Sequence, residues 1–238
     1  MPDGLHEIDH VAAGALVLIS VLQAFADPAK VKQLPRLAFF KAGAATGLIM
    51  GGLVLWFWQL AGRPVANFGL LGWIGPSPAA IVLAALLWAV VLVAVSRLLW
   101  RRHRDRATRF YRTYAHLMPR SRDEIPIAYA AGMLGGTGEE IAYRGLLMWY
   151  AQAFVGLPLA VLATSLIFGI AHGYQSRFGV LFATIAGLIL ASAYLLSGSL
   201  LLVIWMHASY NVASFTLGYR LLSADRNATD RHATPVEN

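Results

Sequence analysis

Three short stretches place polar residues in apolar company. Glu139, Glu140 and Arg144 lie in GTGEEIAYRGLLMWY, Phe168 and His172 in IFGIAH, and His207 and Asn211 in MHASYN. Charge inside an apolar membrane segment costs several kcal/mol, so such groups pair, meet water or work. Residues three or four apart share a helix face. Glu140 and Arg144 therefore can pair, as can Phe168 with His172 and His207 with Asn211. Glu139 is turned about 100° from Glu140 and shares its face with Tyr143. The two glutamates need not do the same job: one can be neutralised by Arg144 while the other points into a cavity. A glutamate can take a proton from water, and a histidine beside it can orient that water and carry protons. A second histidine with an asparagine offers donors to a developing oxyanion. The combination suits amide hydrolysis by an activated water. Glu139, His172 and His207 also form a set able to bind catalytic zinc, although HExxH is absent. Ser165, Ser209 and Ser214 are near by in sequence, but none sits in a nucleophile-elbow pattern.

These residues must be positioned by membrane helices. The chain has 238 residues, is 58% hydrophobic and only 13% charged, and has a mean hydropathy of +0.60. A soluble domain carries about 25% charged residues. One all-α, polytopic transmembrane bundle is the expected fold. A bilayer core needs about 20 apolar residues per helix. Seven spans are expected, near 10–27, 42–62, 78–97, 128–151, 157–175, 178–197 and 199–219. Residues 1–220 form a single membrane domain in this reading, and 221–238 a polar, disordered tail. Gly43, Gly47 and Gly51 form a stripe suited to close helix packing. The run Gly132, Gly135, Gly136 and Gly138 precedes the glutamates and allows close approach of a neighbour. The segment Asn67–Pro78, with Trp73, reads as an interfacial loop.

Eight arginines fall between Arg101 and Arg122. Lying between apolar spans, they read as a cytoplasmic loop facing anionic lipid rather than a nucleic-acid site. An amphipathic piece near Phe110–Leu117 is expected to lie on that surface. Lys30, Lys32, Arg36, Arg177, Arg220 and Arg226 follow alternate spans, with Arg63 the main exception. The bias places the N-terminus outside and the C-terminus in the cytoplasm, in a plasma (inner) membrane. There is no cysteine, so disulfides, thiolate metal sites and cysteine nucleophiles are excluded. The acidic N-terminus lacks the basic region of a cleaved signal peptide, so the first span is expected to stay.

The ordered set EExxxR, FxxxH and HxxxN, each on its own apolar span, resembles the CPBP family over roughly residues 120–215. That family comprises CAAX-processing and bacteriocin-processing (Abi) proteases, the glutamic-type intramembrane proteases. The resemblance implies an endopeptidase acting on a membrane-associated protein or peptide. It implies Glu139 as general base, His172 as its partner, and His207 with Asn211 as oxyanion donors. Glu140 and Arg144 would be a supporting pair, with Phe168 and Tyr143 beside them. Family members often carry phenylalanine before the arginine, where this chain has Tyr143. No cofactor is favoured: Asn211 on the face of His207 suits a donor pair better than a zinc shell. A non-catalytic scaffold or immunity-type protein of the same fold is the main alternative. A proton-coupled transporter is a third, with no inverted repeat to support it.

Overall fold

The computed structural model describes residues 4–68 and 77–233. They form helices joined by short turns, with no strand among the described residues. In chain order these are α1 (Glu7–Ala24), α2 (Pro28–Gln33), α3 (Arg36–Leu60), α4 (Pro78–Arg102), α5 (Arg104–Thr113), α6 (Ile125–Glu140), α7 (Met148–Val155), α8 (Leu157–Ala171), α9 (Arg177–Ser197) and α10 (Leu200–Ala233). Single turns of 3-10 helix occur at Val65–Phe68 and Ala115–Leu117. The expected loop around Trp73 lies mostly outside the described residues.

Helix stands at all seven expected spans, but among the described residues five helices are by themselves long and apolar enough to cross a membrane. The other two differ for local reasons. The fourth span is α6 and α7 joined end to end by a π-helical segment, Ile141–Leu147. Such widened turns within helices are rare and concentrate at functional sites. The fifth, α8, has 15 residues, about 22 Å at 1.5 Å per residue. It stops at Ala171, and His172 begins a turn. Non-helical backbone at membrane depth is tolerated only where it packs on protein or lines water.

Packing follows the small residues. A Cβ on Gly47 would collide with the Leu134 carbonyl, and one on Gly138 with the Gly47 carbonyl. Here α3 and α6 touch backbone to backbone, as the glycine stripe implies. By contrast, α4 has no buried residue and turns apolar side chains such as Leu83, Leu86 and Val90 outward. One core joins α1, α3, the π segment, α8, α9 and α10 through residues such as Leu16, Trp58, Leu146, Phe168, Leu190 and Val203. A second joins α5 to the far end of α10 through Tyr111, Tyr114, Leu117, Leu217 and Leu221.

The tail expectation needs correcting. Residues from 221 onward continue α10 as helix through Ala233. Leu221 and Leu222 are buried against α5, and Arg112 pairs with Asp225 at 2.6 Å. Two leucines in a polar stretch were enough to extend the apolar face by another turn. Residues 234–238 lie outside the described residues. At this end of the bundle Arg36 also pairs with Glu124 at 2.8 Å. At the opposite end Arg63 is not a free cation. It donates to Asp9 at 2.6 Å and lies 4.9 and 4.6 Å from the Trp58 and Trp149 ring centres. Its exceptional place in the basic pattern is thus offset by a carboxylate.

Candidate active site

Glu139 and Glu140 close α6, immediately before the π segment. Glu140 is wholly buried, 0% exposed. Its Oε1 accepts from Arg144 Nη1 at 2.9 Å, the i, i+4 pair expected from the spacing. The same oxygen accepts from His207 Nδ1 at 2.7 Å. Arg144 spends a second donor, Nη2, on the Gly187 carbonyl at 3.0 Å and lies 4.7 Å from the Phe168 ring centre. A Cβ at Gly187 would sit 3.4 Å from that Nη2, so the glycine leaves room for the guanidinium.

Glu139 stands apart. Its side chain is 27% exposed, and its Oε2 lies 3.6 Å from His207 Nε2. With Nδ1 committed to Glu140, it is the Nε2 edge of His207 that faces Glu139. A buried carboxylate fixing one ring nitrogen so that the other is presented is the orienting relation of a hydrolytic triad. No hydrogen bond or ion pair joins Glu139 to His172. Instead His172 donates Nδ1–H to its own Phe168 carbonyl at 2.8 Å. That bond sets the tautomer and leaves Nε2 able to accept a proton.

Asn211 lies one turn beyond His207 on α10. Its Nδ2 donates to the Gly132 carbonyl at 3.0 Å. The carbonyl can only accept, so the amide nitrogen faces it, and the second N–H is left over. The glycines on α6 make this approach possible. A Cβ at Gly136 would lie 3.3 Å from His207 Cγ and 3.4 Å from Asn211 Nδ2. From the other side, Trp88 of α4 donates to the Met206 carbonyl at 3.1 Å and to Ser209 Oγ at 3.0 Å. α10 is thereby held on both sides of His207.

Phe168 is the common neighbour of the aromatic groups. Its ring centre lies 4.6 Å from His172, 5.9 Å from His207 and 5.1 Å from Tyr143. Tyr143 in turn shares a 2.7 Å hydrogen bond with Ser20 of α1. Sequence spacing pointed to neither Ser20 nor Trp88, because both meet the site from distant helices. It also missed the second bond of Glu140, made to a residue 67 positions away.

The arrangement can hold a water near Glu139 and offer donors from His207 Nε2 and Asn211 Nδ2. Among the described residues no three of His, Asp and Glu converge as ligands.

Residues 121–213 match the family model described as Type II CAAX prenyl endopeptidase Rce1-like. No curated protein matches the chain, and no solved structure matches it. The matched stretch runs from the turn before α6 into α10 and contains Glu139, Glu140, Tyr143, Arg144, Phe168, His172, His207 and Asn211.

Proposed function

We propose, from the match of residues 121–213 to the family model described as Type II CAAX prenyl endopeptidase Rce1-like, that this integral membrane protein cuts a peptide bond of a membrane-associated protein or peptide. The observation that carries the mechanism is the relay Glu140–His207–Glu139, with spacings of 2.7 and 3.6 Å. Glu139 takes a proton from water, and the oxygen attacks the scissile carbonyl carbon. His172, through Nε2, orients that water. The oxygen that becomes negative accepts from His207 Nε2–H and from the second Asn211 N–H. With His207 protonated, two carboxylates face two cations, so the buried cluster is neutral and Nε2 is a donor. Collapse of the tetrahedral adduct breaks the C–N bond. The proton on Glu139 goes to the departing nitrogen, leaving a carboxylic acid on the other product, whose proton then passes to the freed amine to give carboxylate and ammonium.

Glu140 and Arg144 are assigned a supporting role. Both are buried and hold each other and His207 in place. No step needs a metal. The basic end of the bundle, with α5 and the Arg36–Glu124 pair, is assigned to the cytoplasm. Its partner there is the anionic lipid surface.

The test is turnover of membrane-anchored peptides, with and without CAAX-type C-termini, by the purified chain in liposomes. Cleavage by the wild type, absent in Glu139→Gln, is expected. It should survive chelation that leaves less than about a tenth of a zinc per chain, since a real site would be near-stoichiometric. Equal cleavage by both proteins would remove Glu139 from the mechanism. Loss on chelation with recovery on added zinc would make the reaction metal-dependent.

A further inference from the structure

We propose that α1, which lies outside the family-matched stretch, is a positioning element for His172, acting through the Ser20–Tyr143 hydrogen bond. Its kinetic consequence rests on the proteolytic reading above; its structural consequence does not.

Ser20 is 1% exposed and Tyr143 4%. A buried hydroxyl left without a partner costs about 1–3 kcal/mol, so Tyr143 needs an acceptor or donor near by. Ser20 has a single hydroxyl proton, and it gives that proton to the Leu16 carbonyl at 2.7 Å. The 2.7 Å bond between the two hydroxyls therefore runs from Tyr143 to Ser20, and the phenol is aimed at α1. This fixes the tilt of the Tyr143 ring. The ring meets Phe168 edge to face, at 5.1 Å and 84°. Phe168 holds His172 twice, through its ring at 4.6 Å and through its carbonyl on Nδ1 at 2.8 Å.

A second contact lies just beyond His172. A Cβ built on Gly173 would come within 3.2 Å of Ala24 Cα, so the last turn of α1 rests against the turn that carries the histidine. α1 thus braces His172 at two levels, one turn apart on its own length. The tyrosine hydroxyl is matched by a serine on a helix outside the matched stretch.

The experiment compares Ser20→Ala, Tyr143→Phe, their combination and Ser20→Thr in liposomes. Ser20→Ala is expected to lower kcat about tenfold, the scale of a slightly misplaced catalytic group, with KM changed less than about twofold. The double variant should be no worse than the poorer single, because both cuts remove one bond. Ser20→Thr should restore kcat. Additive losses, or wild-type kcat with only a lower melting temperature, would overturn the proposal. A second readout needs no substrate. Histidine-labelled 15N spectra, with His172 assigned by its absence in His172→Gln, should show a fixed Nδ1–H tautomer in the wild type and averaged tautomers in Ser20→Ala. An unchanged His172 signal overturns the positioning role. An averaged signal in a chain that cleaves nothing would sink the proteolytic reading and leave the brace standing.

Discussion

His207 Nδ1 and Arg144 Nη1 meet on one oxygen of Glu140, at 2.7 and 2.9 Å. The carboxylate is therefore a junction between α6, the π segment and α10, and not only a local ion pair. Glu139, next to it in sequence, lies 3.6 Å from His207 Nε2 and is partly exposed.

That contrast separates the two glutamates experimentally. Glu139→Gln should cut turnover by about 10²–10⁴, the range for a general base, with the melting temperature in detergent held near wild type. Glu140→Gln leaves a buried guanidinium uncompensated and should cost about 3–5 kcal/mol of stability. Melting curves and turnover measured on the same preparations check this. The opposite pattern would exchange the two roles.

The oxyanion assignment has its own test. Asn211→Ala should lower kcat by about 10²–10³, the usual loss of one oxyanion donor. Gly136→Ala would press a methyl against His207 and Asn211 at 3.3 and 3.4 Å and should also lower kcat. Gly52→Ala, where a Cβ meets nothing within 4 Å, is the control and should behave as wild type. If Gly136→Ala and Gly52→Ala are equally active, the fit of α10 on α6 is not catalytically tuned.

Orientation can be read with single cysteines, since the chain has none of its own. A cysteine replacing exposed Arg109 should resist an impermeant maleimide added to intact cells and react after permeabilisation. One replacing exposed Glu7 should react from outside. Labelling in the reverse sense would invert the bundle.

Acid should weaken the basic end in two steps. Arg36 donates to both Glu124 oxygens, at 3.1 and 2.8 Å, and these bonds chiefly hold the carboxyl below its ordinary 4.5. A depressed carboxyl stabilises the fold fully above the unfolded value, and that contribution is lost as pH falls through the folded one. His116 is pushed below its ordinary 6.5, mainly by burial and then by Lys32. Its neutral form is favoured in the fold, so stability also falls as pH drops below 6.5. Melting temperature against pH should show both steps. His116→Asn should remove the upper and Glu124→Gln the lower; persistence of either step in its variant refutes that assignment.

Much of the site was legible because its pairs are local. Glu140–Arg144, Phe168–His172 and His207–Asn211 each sit one turn apart, and helical spacing alone places them. The stripe Gly43, Gly47 and Gly51 likewise announced close packing of α3, although not that its partner is α6. What stayed hidden is what crosses between helices or departs from regular helix. Glu140 to His207, Ser20 to Tyr143 and Trp88 to Met206 carry no periodic signal. The π segment leaves the composition of its span unchanged. Leu221 and Leu222 were read with the polar residues around them, although a single apolar turn suffices to keep α10 docked. Arg63 looked like a misplaced cation because its partner, Asp9, lies 54 positions away.

The length of α8 has a further consequence. At about 22 Å against a hydrocarbon core of about 30 Å, the helix cannot match an ordinary bilayer. Lipid beside it must thin, or flanking residues must reach for the headgroups, at a fraction of a kcal/mol per ångström of mismatch. Acyl-chain length should therefore matter to the turn that holds His172: short-chain lipids are expected to suit this helix better than long-chain ones.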